Sequence, residues 1–499
     1  MMRNAQRLLV ALLCTVAGCS FAIDHSEAQC ASDSDCTRFG GHPLCQEGVC
    51  VPSGLGPDGC SFGAPQAQSD YLNGCTTAKY VPFDNCARLG LCGSSAALPA
   101  TQDPTNGSIP PLVNPVPAPT TSCSAGAANV IYMFGAADFG PLLRAAQPSL
   151  SANSPPYRAV FQNSSSCGGV SSVFDGTKRL MKDPVVTTNG GWAYYFDGNG
   201  QQVNCLLDAA GNTVDVGVSD LYSPTCNSAY VPGAAVAEYL GPVVPFVLSV
   251  PATSSEQSIS AEALHMVFGL GGKAPSGAGV KDAAPWTDPT NYFIRNSGAA
   301  STVLTSLFAD VPRTKFWGID RLSTDNLRDS LLASTSVAAS IGILSIDYYD
   351  KNRGNLRALY LQSKGQTAGY VPDQAPTTYD KANVRDGHYP LWGYVHFFTP
   401  LGPGGVPSNA ASALVLRFRV QRVEQQLLDD IISASLVPQC AMKVTRAAEM
   451  GDFSPQTGLQ CGCYFDYKTK GKTSCQACKT SEDCPSTRAA CNYGYCEMQ

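Results

Sequence analysis

The chain has 499 residues, with 44% apolar and only 14% charged side chains and a net charge of −6. That apolar share argues against wholesale disorder, and the acidic balance leaves no basic face for nucleic acid. After a leader is removed, about 480 residues remain, enough for two or three compact units.

Residues 1–18 have the three parts of a secretory signal. Arg3 and Arg7 supply positive charge, Leu8 to Leu13 a short apolar run, and Val16-Ala17-Gly18 the small residues before a cut. Cys19 follows, where bacterial lipoprotein processing needs a thiol to carry diacylglycerol. The apolar run is too short to span a bilayer. The expectation is a lipid-anchored protein of the bacterial cell envelope, on the outer membrane or cell surface rather than the inner membrane. It touches the membrane through that lipid.

Cysteine usage divides the rest. Of 22 cysteines, Cys14 leaves with the signal and Cys19 is lipidated; the remaining twenty suit about ten disulfides in an exported chain. They crowd the flanks, and the stretch 227–439 has none. That stretch must rely on an ordinary core, whereas the flanks need staples. Cys30-x5-Cys36-x8-Cys45-x4-Cys50 is echoed by Cys478-x5-Cys484-x6-Cys491-x4-Cys496. Each copy reads as a small disulfide module. Cys475-x2-Cys478 has zinc-ligand spacing, but no histidine accompanies it and the surroundings are oxidising, so no metal is expected. Residues 19–93 form a Cys-rich N-terminal region, 94–122 a Pro/Ser/Thr-rich linker, 123–439 the main domain and 440–499 a Cys-rich C-terminal module.

Within 123–439, strands alternate with helices, which indicates an α/β sheet. Asn129 to Phe134 reads as a strand, running into Gly135-Ala136-Ala137-Asp138-Phe139-Gly140 and a helix opening at Pro141. Tyr157 to Gln162 is a strand followed by a small-residue loop, Asn163 to Gly169. Strands are also expected at Val214 to Val218, Val243 to Val250, Asn291 to Ile294 and Ala338 to Ile346. Helices are expected at Ala261 to Phe268 and Ser301 to Ala309. Leu414 to Leu436 reads as one long amphipathic helix, with Val423, Leu427, Ile431 and Ile432 at helical spacing. Small, hydroxyl-rich loops between strand ends and helix starts are an anion-binding arrangement.

In order along the chain, NVIYMFGAADFGPLLRA, FQNSSSCGGVSS, VDVGVSD, SISAEALHMVFGLGG with PWTDP, FIRNSGAAST, SIGILS and RDGHYPLWG resemble the motifs of type 2 periplasmic solute-binding proteins, specifically the phosphate-binding component of ABC transporters. The resemblance covers about 127–435 and neither Cys-rich flank. It implies two lobes joined by crossover strands, lobe 1 about 123–245 and 370–439 and lobe 2 about 246–369, closing on a ligand by a hinge. It places ligand contacts at Ala136, Ala137, Ser219, Asp220, Arg295 and Ser301. An arginine fork suits a tetrahedral oxyanion. An Asp can accept the proton that hydrogen phosphate carries and sulfate lacks.

Departures accompany the resemblance. The family's hydroxyl-bearing first loop is Ala136-Ala137 here. Its Ser-Gly-Thr becomes Ala299-Ala300-Ser301, or Ser297-Gly298 in a shifted alignment. From the residues alone, Asp220 and Ser301 equally suit helix caps, and Arg295 a structural ion pair.

Enzyme signatures are missing: the five histidines form no His-Glu-x-x-His pair and no Gly-x-Ser-x-Gly occurs. No cofactor is expected. The resulting expectation is a receptor for a small anionic ligand such as phosphate, partnered by an ABC permease. The alternative is a surface-displayed interaction or adhesion lipoprotein on a degenerate binding-protein fold.

Overall fold

A computed structural model describes residues 30–498, apart from 39–43, 47–48, 52–56, 58, 62, 93–96, 106–115, 185–190 and 419–422. The expected signal sequence and lipidation site, residues 1–19, lie outside the described residues. Among those described, no helix is long and apolar enough to cross a membrane.

One mixed sheet runs through both lobes. In lobe 1, β1 (Val130–Ala136) lies between parallel neighbours β2 (Arg158–Ser164) and β4 (Val216–Ser219), with β3 (Ala193–Phe196) outside β2. In lobe 2, β6 (Tyr292–Ile294) lies between parallel neighbours β7 (Ile319–Asp320) and β8 (Ile341–Ser345). Two long antiparallel strands join the halves. These are β5 (Val236–Pro251), which pairs with β8, and β9 (Trp392–Pro400), which pairs with β4 and with β5. Each lobe therefore repeats one order: second strand, first, third, then an antiparallel crossover.

Helices cover the sheet, so central strands are buried on both faces and read as apolar runs instead of alternations. Val243, Val244, Phe246, Val247, Leu248 and Val250 of β5 are all buried, each such side chain contributing about 1.5–3 kcal/mol. The helices that matter for the site are α1 (Gly140–Ser151), α2 (Ser166–Phe174), α3 (Ala261–Leu270), α4 (Ala300–Phe308), α5 (Thr324–Leu332) and α6 (Ile346–Lys351). Pro141 sits in the first turn of α1, where its missing N–H costs nothing. At Gly135, φ is +145° and a Cβ would lie 1.9 Å from the Val218 carbonyl oxygen, so only glycine lets β1 and β4 meet there.

Two expectations need correcting. The loop Asn163 to Gly169 is half helix: α2 starts at Ser166, capped by Ser165 Oγ, which accepts from Gly168 N at 3.0 Å. Leu414 to Leu436 is not one helix. α7 (Asn409–Val415) passes into a short 3-10 turn, Leu416–Phe418, and α8 (Gln425–Ser433) starts after an extended Glu424. Leaving the helical path lets Phe418 pack on Phe397 of the crossover strand, ring centroids 4.7 Å apart.

The ten disulfides pair all twenty cysteines, and the two repeated modules share one connectivity, first to third and second to fourth: Cys30–Cys45 with Cys36–Cys50, and Cys478–Cys491 with Cys484–Cys496. Cys475 of the zinc-like spacing is bonded to Cys463. Residues 63–92 pack onto lobe 2, where Phe83 N donates to Gln362, Gln366 donates to the Leu72 carbonyl and Arg88 pairs with Glu256. Residues 437–466 cross the back of both crossover strands. Gln439 donates to the Leu240 and Gly241 carbonyls of β5. Arg446 lies over Trp392, 3.8 Å from its ring centroid, and donates to the Pro390 and Trp392 carbonyls. Glu449 accepts from Tyr222 N and Thr225 Oγ1 of lobe 1. Phe453 meets Tyr71 of the N-terminal segment. Together the two segments brace the hinge from one lobe to the other.

Candidate functional site

The parallel strands of both lobes end on one cleft, and their carboxyl ends run into helix starts. The turn Ala137–Phe139 leads from β1 into α1, α2 follows β2, and Asp220 follows β4. Arg295 follows β6 and precedes α4, and Ser345 ends β8 at the start of α6. Helix starts carry unpaired N–H groups and the positive end of the dipole. Ser165 caps α2 and Ser323 caps α5, but α4 has Ala299 at its cap position, with no polar side chain to cap it. Its first N–H groups are left for something else.

The cleft is closed. Cys167 N of lobe 1 donates to the Gly298 carbonyl of lobe 2 at 3.0 Å. Arg313 of lobe 2 reaches the Cys226 carbonyl at 3.4 Å, beside the Cys167–Cys226 disulfide. Between the lobes lies a cavity of about 30 Å³ lined by Ala136, Ala137, Asp138, Ser164, Ser165, Ser166, Asp220, Arg295, Ala299, Ala300, Ser301 and Thr324, with Phe246, Ile343 and Ser345 behind them. One water needs roughly 10–15 Å³ on this measure, so the space suits a handful of heavy atoms.

Of the residues expected from sequence, Ala136, Ala137, Asp220, Arg295 and Ser301 all reach this cavity. Ser219 does not. Its Oγ turns back on its own chain, accepting from Leu221 N and donating to Leu221 O at 3.0 Å each, which fixes the bend that aims Asp220. Ser301 is no cap, because the cap position falls on Ala299. Asp138, Thr324 and Ser164 were missed. Asp138 stands in plain view after the β1 loop; Thr324 joins the site only through folding.

Three wall groups leave polar atoms without a hydrogen-bond partner although fully buried: Asp138 Oδ1, Asp220 Oδ1 and Arg295 Nε. Asp220 Oδ2 accepts from Ser166 Oγ at 3.1 Å, and Arg295 Nη1 donates to Thr324 Oγ1 at 2.8 Å. Burial pushes Asp220 well above the carboxylate range, and the Asp138 charge beside it adds to this. Burial also raises Asp138, against a hydrogen bond with Asp220 and the Arg295 charge. The two carboxyls are thus within reach of one shared proton. Burial lowers Arg295, against the pull of Asp320, Tyr348, Asp138 and Asp325. The cavity therefore offers one guanidinium and uncapped helix N–H groups as donors, and a carboxyl pair as acceptor. A ligand that satisfies all of them carries negative charge and a proton together. Among the described residues, the only clustered metal-ligating atoms are cysteine sulfurs of the two terminal modules, and these are in disulfides.

Two lobes of one strand order, two antiparallel crossovers and a cavity at the strand carboxyl ends decide the architecture. The fold is that of a type 2 periplasmic solute-binding protein. Small disulfide-rich segments flank it. No protein-family model matches the chain, and no curated protein matches it. Among solved structures, it is similar to a putative phosphate ABC transporter substrate-binding protein with bound phosphate from Clostridium perfringens. The identity is 11%, covering 62% of this chain and 99% of that one, with a TM-score of 0.41. An ABC-type phosphate transport receptor from Vibrio cholerae matches at 11% identity over 62% and 100% of the two chains, TM-score 0.39. A phosphate-binding protein from Stenotrophomonas maltophilia matches at 14% over 62% and 90%, TM-score 0.37.

Proposed function

We propose that this chain is an exported, lipid-anchored receptor that closes its two lobes on a small, proton-bearing oxyanion such as hydrogen phosphate, in the manner of an ABC-transport receptor. It is not an enzyme on this reading: it binds and releases its solute unchanged. The observation that carries the reading is the pairing inside one small cavity of an Arg295 Nε lacking an acceptor with Asp138 and Asp220 oxygens lacking a donor. Hydrogen phosphate supplies both. Sulfate supplies only the first and would leave a buried carboxylate facing an anion. The lipid at Cys19 would tether the receptor to the cell envelope, and a membrane permease would take its solute.

Isothermal titration of the mature chain tests this. Phosphate is expected to bind, and sulfate roughly 100-fold more weakly or not at all. Arg295→Ala should abolish the heat. Asp220→Asn, whose amide can donate as well as accept, should narrow the gap between the two anions. No heat with phosphate, arsenate or sulfate would overturn the reading. It would also favour the second one, an interaction protein on a retired binding fold, for which the hydroxyl-free Ala136-Ala137 loop and the braced hinge speak. The anchor is tested separately by metabolic labelling with palmitate in a bacterial host: label on the wild type and none on Cys19→Ala is expected, and an unlabelled wild type would remove the anchor.

A further inference from the structure

The oxyanion cavity opens on one side. Five of its wall residues, Ala137, Ser164, Ser165, Arg295 and Thr324, also line a larger groove of about 1020 Å³ along the mouth of the cleft. Asp138 and Asp220 border the cavity and not the groove, so the acid pair marks the closed end. A receptor for free phosphate has no use for that groove, since all four oxygens belong in the cavity. The groove is instead the size of a site for an organic molecule, roughly 300–1,000 Å³.

Its walls mix polar and apolar groups and come from both lobes. Lobe 1 supplies Tyr194 and Phe196 of β3 and Arg144 of α1, whose guanidinium lies 5.0 Å from the Phe196 ring centroid. Lobe 2 supplies Asp325 and Arg328 of α5 and Tyr348 of α6. Asp325 is held from two sides, by Arg328 Nη1 at 2.8 Å and by Tyr348 Oη at 3.2 Å. Tyr194 of lobe 1 and Tyr348 of lobe 2 both line it, so phenols of opposite lobes face one space.

Such a set suits hydroxyl groups: carboxylate and phenol oxygens accept from them, guanidinium groups donate to them, and ring edges meet C–H. It does not suit a nucleobase, because Tyr194 is already packed edge-on against Phe161 and Phe196, and Arg144 covers Phe196. It does not suit a polyphosphate either. Arg328 is paired with Asp325 and Asp329 and Lys351 with Asp347, so three carboxylates of the groove stand against further phosphates.

We infer that the solute is a phosphate monoester of a hydroxyl-rich group, a sugar or polyol phosphate, with its phosphoryl group in the cavity and its organic part in the groove. The inference rests on the oxyanion reading above. A monoester is largely dianionic at neutral pH, its second pKa being about 6. Its monoanion, a minority form at that pH, keeps one P–O–H, and that proton is what the acid pair at the closed end accepts.

Titration of the mature chain with inorganic phosphate, methyl phosphate, glycerol 3-phosphate, ribose 5-phosphate, glucose 6-phosphate and unphosphorylated glucose separates the two readings. At least one of the three polyol phosphates is expected to bind roughly tenfold or more tightly than inorganic phosphate, and glucose to give no heat. Tyr348→Ala, at a half-buried position, should bring that ester down to the affinity of methyl phosphate and leave inorganic phosphate unmoved. Tyr194→Phe, which keeps the ring in its aromatic cluster, should weaken the ester alone. If inorganic phosphate binds and none of the three esters binds more tightly, the monoester inference falls and the oxyanion reading stands. If no phosphate-bearing probe gives heat, both fall.

Discussion

Replacing Asp347 with Asn tests the electrostatics of the cleft at a residue that is buried beside the site without lining the oxyanion cavity. Asp347 starts α6; its Oδ1 accepts from Ser345 Oγ at 2.7 Å. Its Oδ2 has the Lys351 ammonium at 3.5 Å, but that lysine side chain is 64% exposed, and water screens most of its pull. Burial, with a further push from Asp138, raises the carboxyl from 3.8 to about 6. At about 1.4 kcal/mol per unit, the ionised form costs the folded state about 3 kcal/mol at neutral pH.

The sign follows from the direction of the shift. A raised folded-state value favours folding while the group is protonated. That contribution is whole below about pH 4 and is lost as the pH rises through about 6. Asn keeps the shape and the Ser345 hydrogen bond without the charge. Urea unfolding of both proteins at about pH 4, 6 and 8, disulfides intact, should therefore give equal stabilities at the acid end. At the alkaline end the Asp347→Asn protein should be ahead by up to about 3 kcal/mol. Subtraction removes every other titrating group. A difference that stays flat with pH, or one in which the wild type leads at pH 8, would refute the argument.

Three further outcomes are expected. Cys167→Ser with Cys226→Ser opens a disulfide whose ends are 59 positions apart; loop entropy puts the loss at about 4 kcal/mol by urea unfolding, and an unchanged midpoint would contradict it. Gly393→Ala, in the crossover strand, places a Cβ 2.2 Å from the Asp220 carbonyl oxygen. It should weaken phosphate binding roughly tenfold by titration through displacement of Asp220, and an unaltered affinity would show that Asp220 is not a contact. Arg446→Leu leaves the buried Pro390 and Trp392 carbonyls without their guanidinium donor and should cost about 3 kcal/mol in urea unfolding. A neutral effect would mean that the brace adds nothing to the hinge.

Much of this was legible along the chain because it is local. Apolar runs such as Val243 to Val250 show a strand covered on both faces, and Gly135-Ala136-Ala137 before Pro141 shows a strand turning into a helix. What escaped is set by distant partners. Thr324 lies 29 positions from the Arg295 it bonds and becomes a site residue only when α5 folds beside β6. Ser219 and Asp220 are adjacent, but neighbouring residues on a strand point to opposite sides, and the bend at Leu221 takes the Ser hydroxyl back to the backbone. The long helix expected at Leu414 to Leu436 had the right periodicity, but the chain leaves it at Leu416–Phe418, where Phe418 packs on the distant Phe397. The similar cysteine spacings at the two ends signalled a common pairing without saying which; the structure supplies it.

The brace behind the crossover strands bears on time as well as on shape. Parting the lobes must carry residues 63–92 and 437–466 along or peel them off, and the latter are themselves closed by the Cys440–Cys461 bond. In a receptor that rests closed, that resistance acts alike on entry and exit, so it slows both without changing the equilibrium between them. Bound lifetime is then governed from the spine of the molecule and affinity from the cleft. Two receptors with identical pocket walls could differ widely in how long a captured solute stays, and a dissociation-rate measurement, not a titration, is where the cysteine-rich flanks would register.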